Sequence, residues 1–208
     1  NGTVSTTATN MDFGAVTLGS ATSLASSDGD IATGALTAAS NALTLVAGTG
    51  STTVASVDTA STLTVTSSTD TRFTGAVSAS DIALTASTGT ITFSGDTTAT
   101  NGLTTTTSVT DLVFEENLNI DTAAVLFNNT GALTLGVGGA DVLTFDGGVT
   151  TSGVGGTVTL NGDVVTSADA ATFGALTLAG ASSIDTTNGA LTLGAVTGAG
   201  SSLSLIHI

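Results

Sequence analysis

The chain has 208 residues, and sixteen acids against one permanent cation, Arg72, give it a formal charge of −15. Such a polyanion repels nucleic acid and anionic lipid and has no basic patch to offset the repulsion, which excludes nucleic-acid binding. Cys, Pro, Trp and Tyr are absent, so disulfides and thiol chemistry are excluded too, while 40% hydrophobic residues and a mean hydropathy of +0.49 set the chain apart from disordered sequences.

The opening, NGTVSTTATN, has no initiator Met and no charged or apolar leader region, and predicts a fragment of a longer chain. No run approaches the roughly 18 apolar residues of a membrane span, so this segment is not expected to insert directly into a bilayer. From residue 14 onward short strand-like units recur: GAVTLGS (14–20), GALTAAS (34–40), NALTLVA (41–47), STLTVTS (61–67) and GTITFSG (89–95). They continue as GALTLGV (131–137), DVLTFDG (141–147), GTVTLNG (156–162), GALTLAG (174–180) and GALTLGA (189–195). Each centres on apolar, Thr, apolar, as in Leu133-Thr134-Leu135. This alternation puts the two apolar side chains on one strand face and the Thr on the other.

Breakers fall between the units, among them Asp28-Gly29, Asn101-Gly102, Asp146-Gly147, Asn161-Gly162 and Asn188-Gly189. No segment has helical apolar spacing, so the chain reads as all-β. Asn-Gly also signals hairpins, which makes an antiparallel sandwich the rival architecture. Three features favour a parallel β-solenoid: the units are short, they repeat along the whole length, and phenylalanines recur at coil-like intervals. Phe73, Phe93 and Phe114 are 20 and 21 residues apart, and Phe127 and Phe145 are 18 apart. Coils of about 18–21 residues are expected, with the 28-residue gap from Phe145 to Phe173 marking an insertion or a longer coil. About ten coils at an inter-strand spacing of about 4.8 Å would form a rod roughly 50 Å long. Inward positions then take small and medium apolar side chains, outward Thr covers the faces, and the acids keep exposed strands from pairing edge to edge.

Over residues 11–200 the units GAVTLGS, GALTLGV, GTITFSG and GALTLAG, joined by Gly/Asn/Asp/Thr-rich turns, resemble the repeats of large bacterial surface adhesins of the filamentous-haemagglutinin and autotransporter-like class. The resemblance implies a right-handed parallel β-helix serving as a stalk or passenger at the bacterial cell surface. Its partner would be a host or neighbouring-cell surface or matrix. The pattern has no invariant motif and maps no functional residue onto this chain.

The residue inventory argues against an enzyme. Up to residue 206 there is no His, Lys, Cys or Tyr, which leaves carboxylates, hydroxyls and Arg72. Glu115 and Glu116 are adjacent, so on a strand they point to opposite faces and form no dyad; a solvated turn or strand end is the reading for them. No aromatic platform suits a sugar. No cofactor is expected, with Ca²⁺ the one ion considered. GVGGADVL (136–143) approaches the glycine-rich nonapeptide of Ca²⁺-binding β-rolls, but Val137 breaks it and no tandem copy follows, so Asp141 reads first as a turn residue. Asp28 and Asp30 in SSDGDIATG offer two oxygens without the remaining ligands of a Ca²⁺ loop. Arg72 reads as solvated or paired with Asp70.

Two further readings concern surfaces. Acidic, Lys-poor faces bridged by Ca²⁺ would suit an S-layer or matrix-type protein. Thr62, Thr64 and Thr66 share one strand face, as do the pairs Thr90/Thr92 and Thr157/Thr159, a pattern that resembles parts of some ice-binding solenoids without a regular two-column array. The last six residues, LSLIHI, leave the Gly/Thr/Ala rhythm and bring the only histidine, His207. They resemble a transposase mosaic-end sequencing adapter read in frame, which predicts one repeat array over 1–202 and a non-native tail over 203–208.

Overall fold

A computed structural model describes residues 2–206, which form twenty-five β-strands and no helix. Every strand pairing is parallel, and strands pair about one coil apart in sequence, so the chain winds as a β-solenoid of about ten turns. Each turn has three faces. Face one stacks Met11, Ile31, Thr52, Thr71, Ile91, Leu112, Leu133, Val158, Leu176 and Val196 in register. Face two stacks Val16, Leu36, Val57, Val77, Thr97, Leu118, Leu143, Val164, Ile184 and Leu205. Face three runs through Val4, Leu24, Leu45, Val65, Leu84 and Thr105, and continues in a separate four-stranded sheet through Val125, Val149, Ala171 and Leu191. At about 4.8 Å per rung the rod is roughly 45 Å long.

The apolar–Thr–apolar triplets place themselves as their alternation dictates. Leu133 and Leu135 are fully buried, and Thr134 between them faces out. Burial of a Leu, Val or Phe side chain stabilises by roughly 1.5–3 kcal/mol, and the narrow interior collects dozens of them into one continuous core. Phe73, Phe93 and Phe114 stack as a true ladder, with ring centroids 4.8 and 4.9 Å apart and planes 12° and 10° from parallel. The centroid spacing matches the rise per coil, so the rings add stacking to burial.

The other phenylalanine intervals are not coil lengths. Phe145 pairs with Ile120 on face two, whereas Phe127 and Phe173 close inward positions on face three. Phe127 and Phe145 meet edge to face within the core, at 6.2 Å and 89°. Coils are mostly 18–22 residues, but one stretch is longer: Leu118 pairs with Leu143 and Leu133 with Val158, each 25 residues on. The excess on face two comes from the loop at 136–141. Asn101-Gly102 is also no turn. It lies inside the strand Thr97–Thr105, at a register shift between Ala99 and Gly102 where the strand bends round a corner.

Corners elsewhere use tight turns with left-handed residues such as Ser27, Asp28 and Gly48. The coils approach closely there: a Cβ on Gly50 would run into the carbonyl oxygen of Gly29 in the coil below.

Residues 6–46 recur in pattern at 166–206. MDFGAVTL (11–18) matches ATFGALTL (171–178), and IATGALT (31–37) matches LTLGAVT (191–197). The strands Met11–Phe13, Thr22–Ala25 and Leu43–Val46 correspond to Ala171–Phe173, Ser182–Asp185 and Leu203–Ile206. The turns correspond as well. Ser26 Oγ donates to Gly29 O as Thr186 Oγ1 does to Gly189 O, and Ser27 and Thr187 share a φ of 48°. Yet Met11–Phe13 lies on face one and Ala171–Phe173 on face three. Within the stretch that the sequence sets apart, Leu203–Ile206 stacks in register on Ser182–Asp185; His207 and Ile208 lie outside the described residues.

Candidate functional site

At the corner between faces three and one, an acid or amide directly precedes the inward triplet of four of the ten face-one strands: Asn10, Asp30, Asp70 and Asp111. Here the backbone alone leaves an N–H of the next coil in need of an acceptor, and these side chains supply it. Asn10 Oδ1 accepts from Asp30 N at 2.9 Å, Asp30 Oδ1 from Ser51 N at 2.9 Å, Asp70 Oδ1 from Thr90 N at 2.8 Å and Asp111 Oδ1 from Ala132 N at 2.6 Å. Asp28 does the same one turn position earlier, accepting from Thr49 N and Thr49 Oγ1 at 2.9 and 3.1 Å. Charge-assisted bonds of this kind are stronger than those between neutral partners.

Asp28 and Asp30 are thus directed along the rod axis toward the coil above. Asp141 is 7% exposed and closes its own loop, with Oδ2 accepting from Val137 N at 2.8 Å and Gly138 N at 2.7 Å. The structure does not bring these three aspartates together. Among the described residues, no group of three or more acid or histidine side chains converges on one point.

Arg72 does not pair with Asp70. It sits in the middle of the strand Thr71–Phe73, facing out, and its Nη2 donates to Glu115 Oε2 at 3.1 Å, two coils further on. The pair spans the rung of Thr92, which is buried although it faces outward. Glu115 and Glu116 lie at the corner that follows Phe114, with Glu116 exposed. A shallow depression near the bulge at residues 57–60 is lined by the hydroxyls of Ser40, Thr59, Ser61, Ser78, Ser80 and Thr100.

The outer side of face three is nearly free of charge. Its central outward column reads Thr3, Ser23, Thr44, Thr64, Ala83 and Thr104, then Leu126, Thr150, Thr172 and Thr192. The column beside it holds small residues over most of its length, including Ala21, Ala42, Gly148, Ala170 and Ala190. Asp81 is the one charged residue within the strands of this face, and Asn101 Nδ2 and Ser80 Oγ both donate to it. The remaining acids lie on faces one and two or at the corners.

Sequence reasoning treated the acids near turns as guards against edge pairing and missed their bonding between coils. The available signal was an Asp or Asn immediately before an inward triplet, as in Asn10-Met11 and Asp30-Ile31. The uncharged face had no local signal, because the face a triplet occupies depends on every corner before it. Comparison of the chain with family models, curated proteins and solved structures yields no match.

Proposed function

We propose that this chain is a non-enzymatic structural module, a stalk or passenger segment of a large exported bacterial surface protein, which holds distance from the cell and presents adhesive surface to a host, neighbouring cell or matrix. The observation that carries the reading is the recurrence of residues 6–42 at 166–202 on a different face. A unit that serves on more than one face encodes stacking, and stacking adds length without a fixed address for chemistry. The acids of the corner columns support the same reading, since their oxygens join coil to coil.

The test is cell-surface display of the ten-coil array, and of two arrays in tandem, between an anchor and an epitope. The expected result is an epitope reach that grows by roughly 45 Å with the second array. Equal reach for the two would sink the proposal.

A matrix-type role with Ca²⁺ bridging draws on the exposed carboxylates of Asp12, Asp58 and Glu116. It predicts that a chelator dissolves assembled material without changing the fold, and assembly that is indifferent to chelator removes it.

A further inference from the structure

We infer that face three is a self-association surface, on which a second copy of this chain lies side by side with the first, uncharged face against uncharged face. Two independent observations point there. The first is charge segregation: in a chain of net charge −15, the strands of face three contain a single acid, Asp81, already engaged by Asn101 and Ser80. The second is Leu126. Among the described residues six large apolar residues are exposed; Val4, Val196 and Leu205 belong to the first and last coils, and Val137 lies in the loop at 136–141. Two of them stand on strand faces within the rod: Val142, whose rung neighbour on face two is Asp163, and Leu126, 49% exposed in the middle of the uncharged Thr column of face three.

The partner must be uncharged where it touches, flat, and periodic at the rise of a coil, or its side chains would fall out of step with the rungs. A second face three meets all three conditions by construction. Small side chains let two sheets approach to about 10 Å or less, and paired Thr columns leave hydroxyls in reach of one another. Faces one and two cannot substitute. Acids border all three faces at the corners, but Asp12 on face one and Asp58, Asp163 and Asp185 on face two stand on the outward strand columns themselves and would meet like charge. A contact about 12 Å wide and 45 Å long covers roughly 550 Å² per copy, about 1,100 Å² in total, which just clears the area of a specific interface. Association is therefore weak at ten coils and strengthens with each coil added. Salt strengthens it too, by screening the repulsion between two chains of −15.

The experiment is sedimentation equilibrium of the chain at low and high NaCl, with scattering on the associated species. The expected result is a monomer–dimer equilibrium that shifts toward dimer as salt rises, with a dimer that keeps the length of the rod and doubles its cross-section. Leu126→Asp and Thr172→Asp, both outward and checked for unchanged melting, each weaken association at least tenfold, whereas Thr37→Asp on face two leaves it unchanged. A chain that stays monomeric to about 1 mM at high salt overturns the inference. So does a dimer of doubled length, or one equally sensitive to Thr37→Asp. Retention of the monomer on a neutral crystalline glycan, or thermal hysteresis, abolished by Leu126→Asp would assign the face to that occupant and likewise overturn self-pairing.

Discussion

Residues 52–105 and residues 125–193 build the same three faces by different means. In the first region strands run through the corners: Thr52–Ser67 alone covers all three faces, and Val77–Leu84 and Thr97–Thr105 cover two each. Their corners bend at register shifts, between Val57 and Ala60 and between Ala99 and Gly102, so most of the backbone stays in the ladder. In the second region strands are two to four residues long and each corner interrupts the ladder. Side chains fill the gaps there. Buried Asn129 donates to the carbonyls of Thr110, Gly131 and Ala132, Asp141 closes its loop, and Thr151 Oγ1 accepts from Gly174 N. Continuous strands carry the ladder through their corners, whereas short ones draw on polar side chains at several of theirs.

The contrast can be tested by removing what each region depends on. The largest expected effect is in the first, where Phe93 stacks on a ring from each side. Phe93→Ala should cost about 3–5 kcal/mol, read as a lowered denaturant midpoint, with hydrogen exchange rising first in the coils of Phe73 and Phe114. Next is the second region. Asp141→Ala leaves the Val137 and Gly138 amides without their acceptor and should cost about 1–3 kcal/mol, with Asp141→Asn recovering part of the loss. Asp81→Ala in the first region, where the carboxylate meets only side chains, should cost less than about 0.5 kcal/mol; equal losses at 81 and 141 would erase the distinction. Thr105→Val, at the junction of the regions, should cost about 1 kcal/mol with little change in shape. The smallest effect belongs to Arg72→Ala. Its exposed pair with Glu115 contributes about 0–1 kcal/mol and should vanish in high salt, measured by melting with and without NaCl.

The sequence made the first region more legible than the second. Phe73, Phe93 and Phe114 are evenly spaced because consecutive coils there have nearly constant length, so a period could be read directly. Between 118 and 176 the coil lengthens and then shortens, and the Phe127–Phe145 interval mimics a coil while joining two faces. Local alternation decides which side of a strand is inside, and that needs only three residues. Which face a strand occupies is cumulative, so the loop at 136–141 changes the register of everything after it. For the same reason Asp30 and Asp141 could be singled out by residue type, but their bonds to Ser51 N and Val137 N belong to a register that pattern alone does not specify.

Face three is not one sheet but two, and its seam lies between the rungs of Leu103 and Val125. Across that seam Thr105 Oγ1 donates to Leu126 O at 3.3 Å and accepts from Asn128 N at 2.9 Å, where neighbouring rungs are joined by backbone ladder. Faces one and two cross the same level without interruption, through Ile91–Leu112–Leu133 and Thr97–Leu118. Stiffness at that height is therefore directional. A sideways load that opens face three meets the two Thr105 bonds and, at its edge, those of Ala123 N and Thr122 Oγ1 to Asn101 O, whereas one that opens either other face must part a continuous sheet, so the rod has a preferred plane of flexure a little past its midpoint.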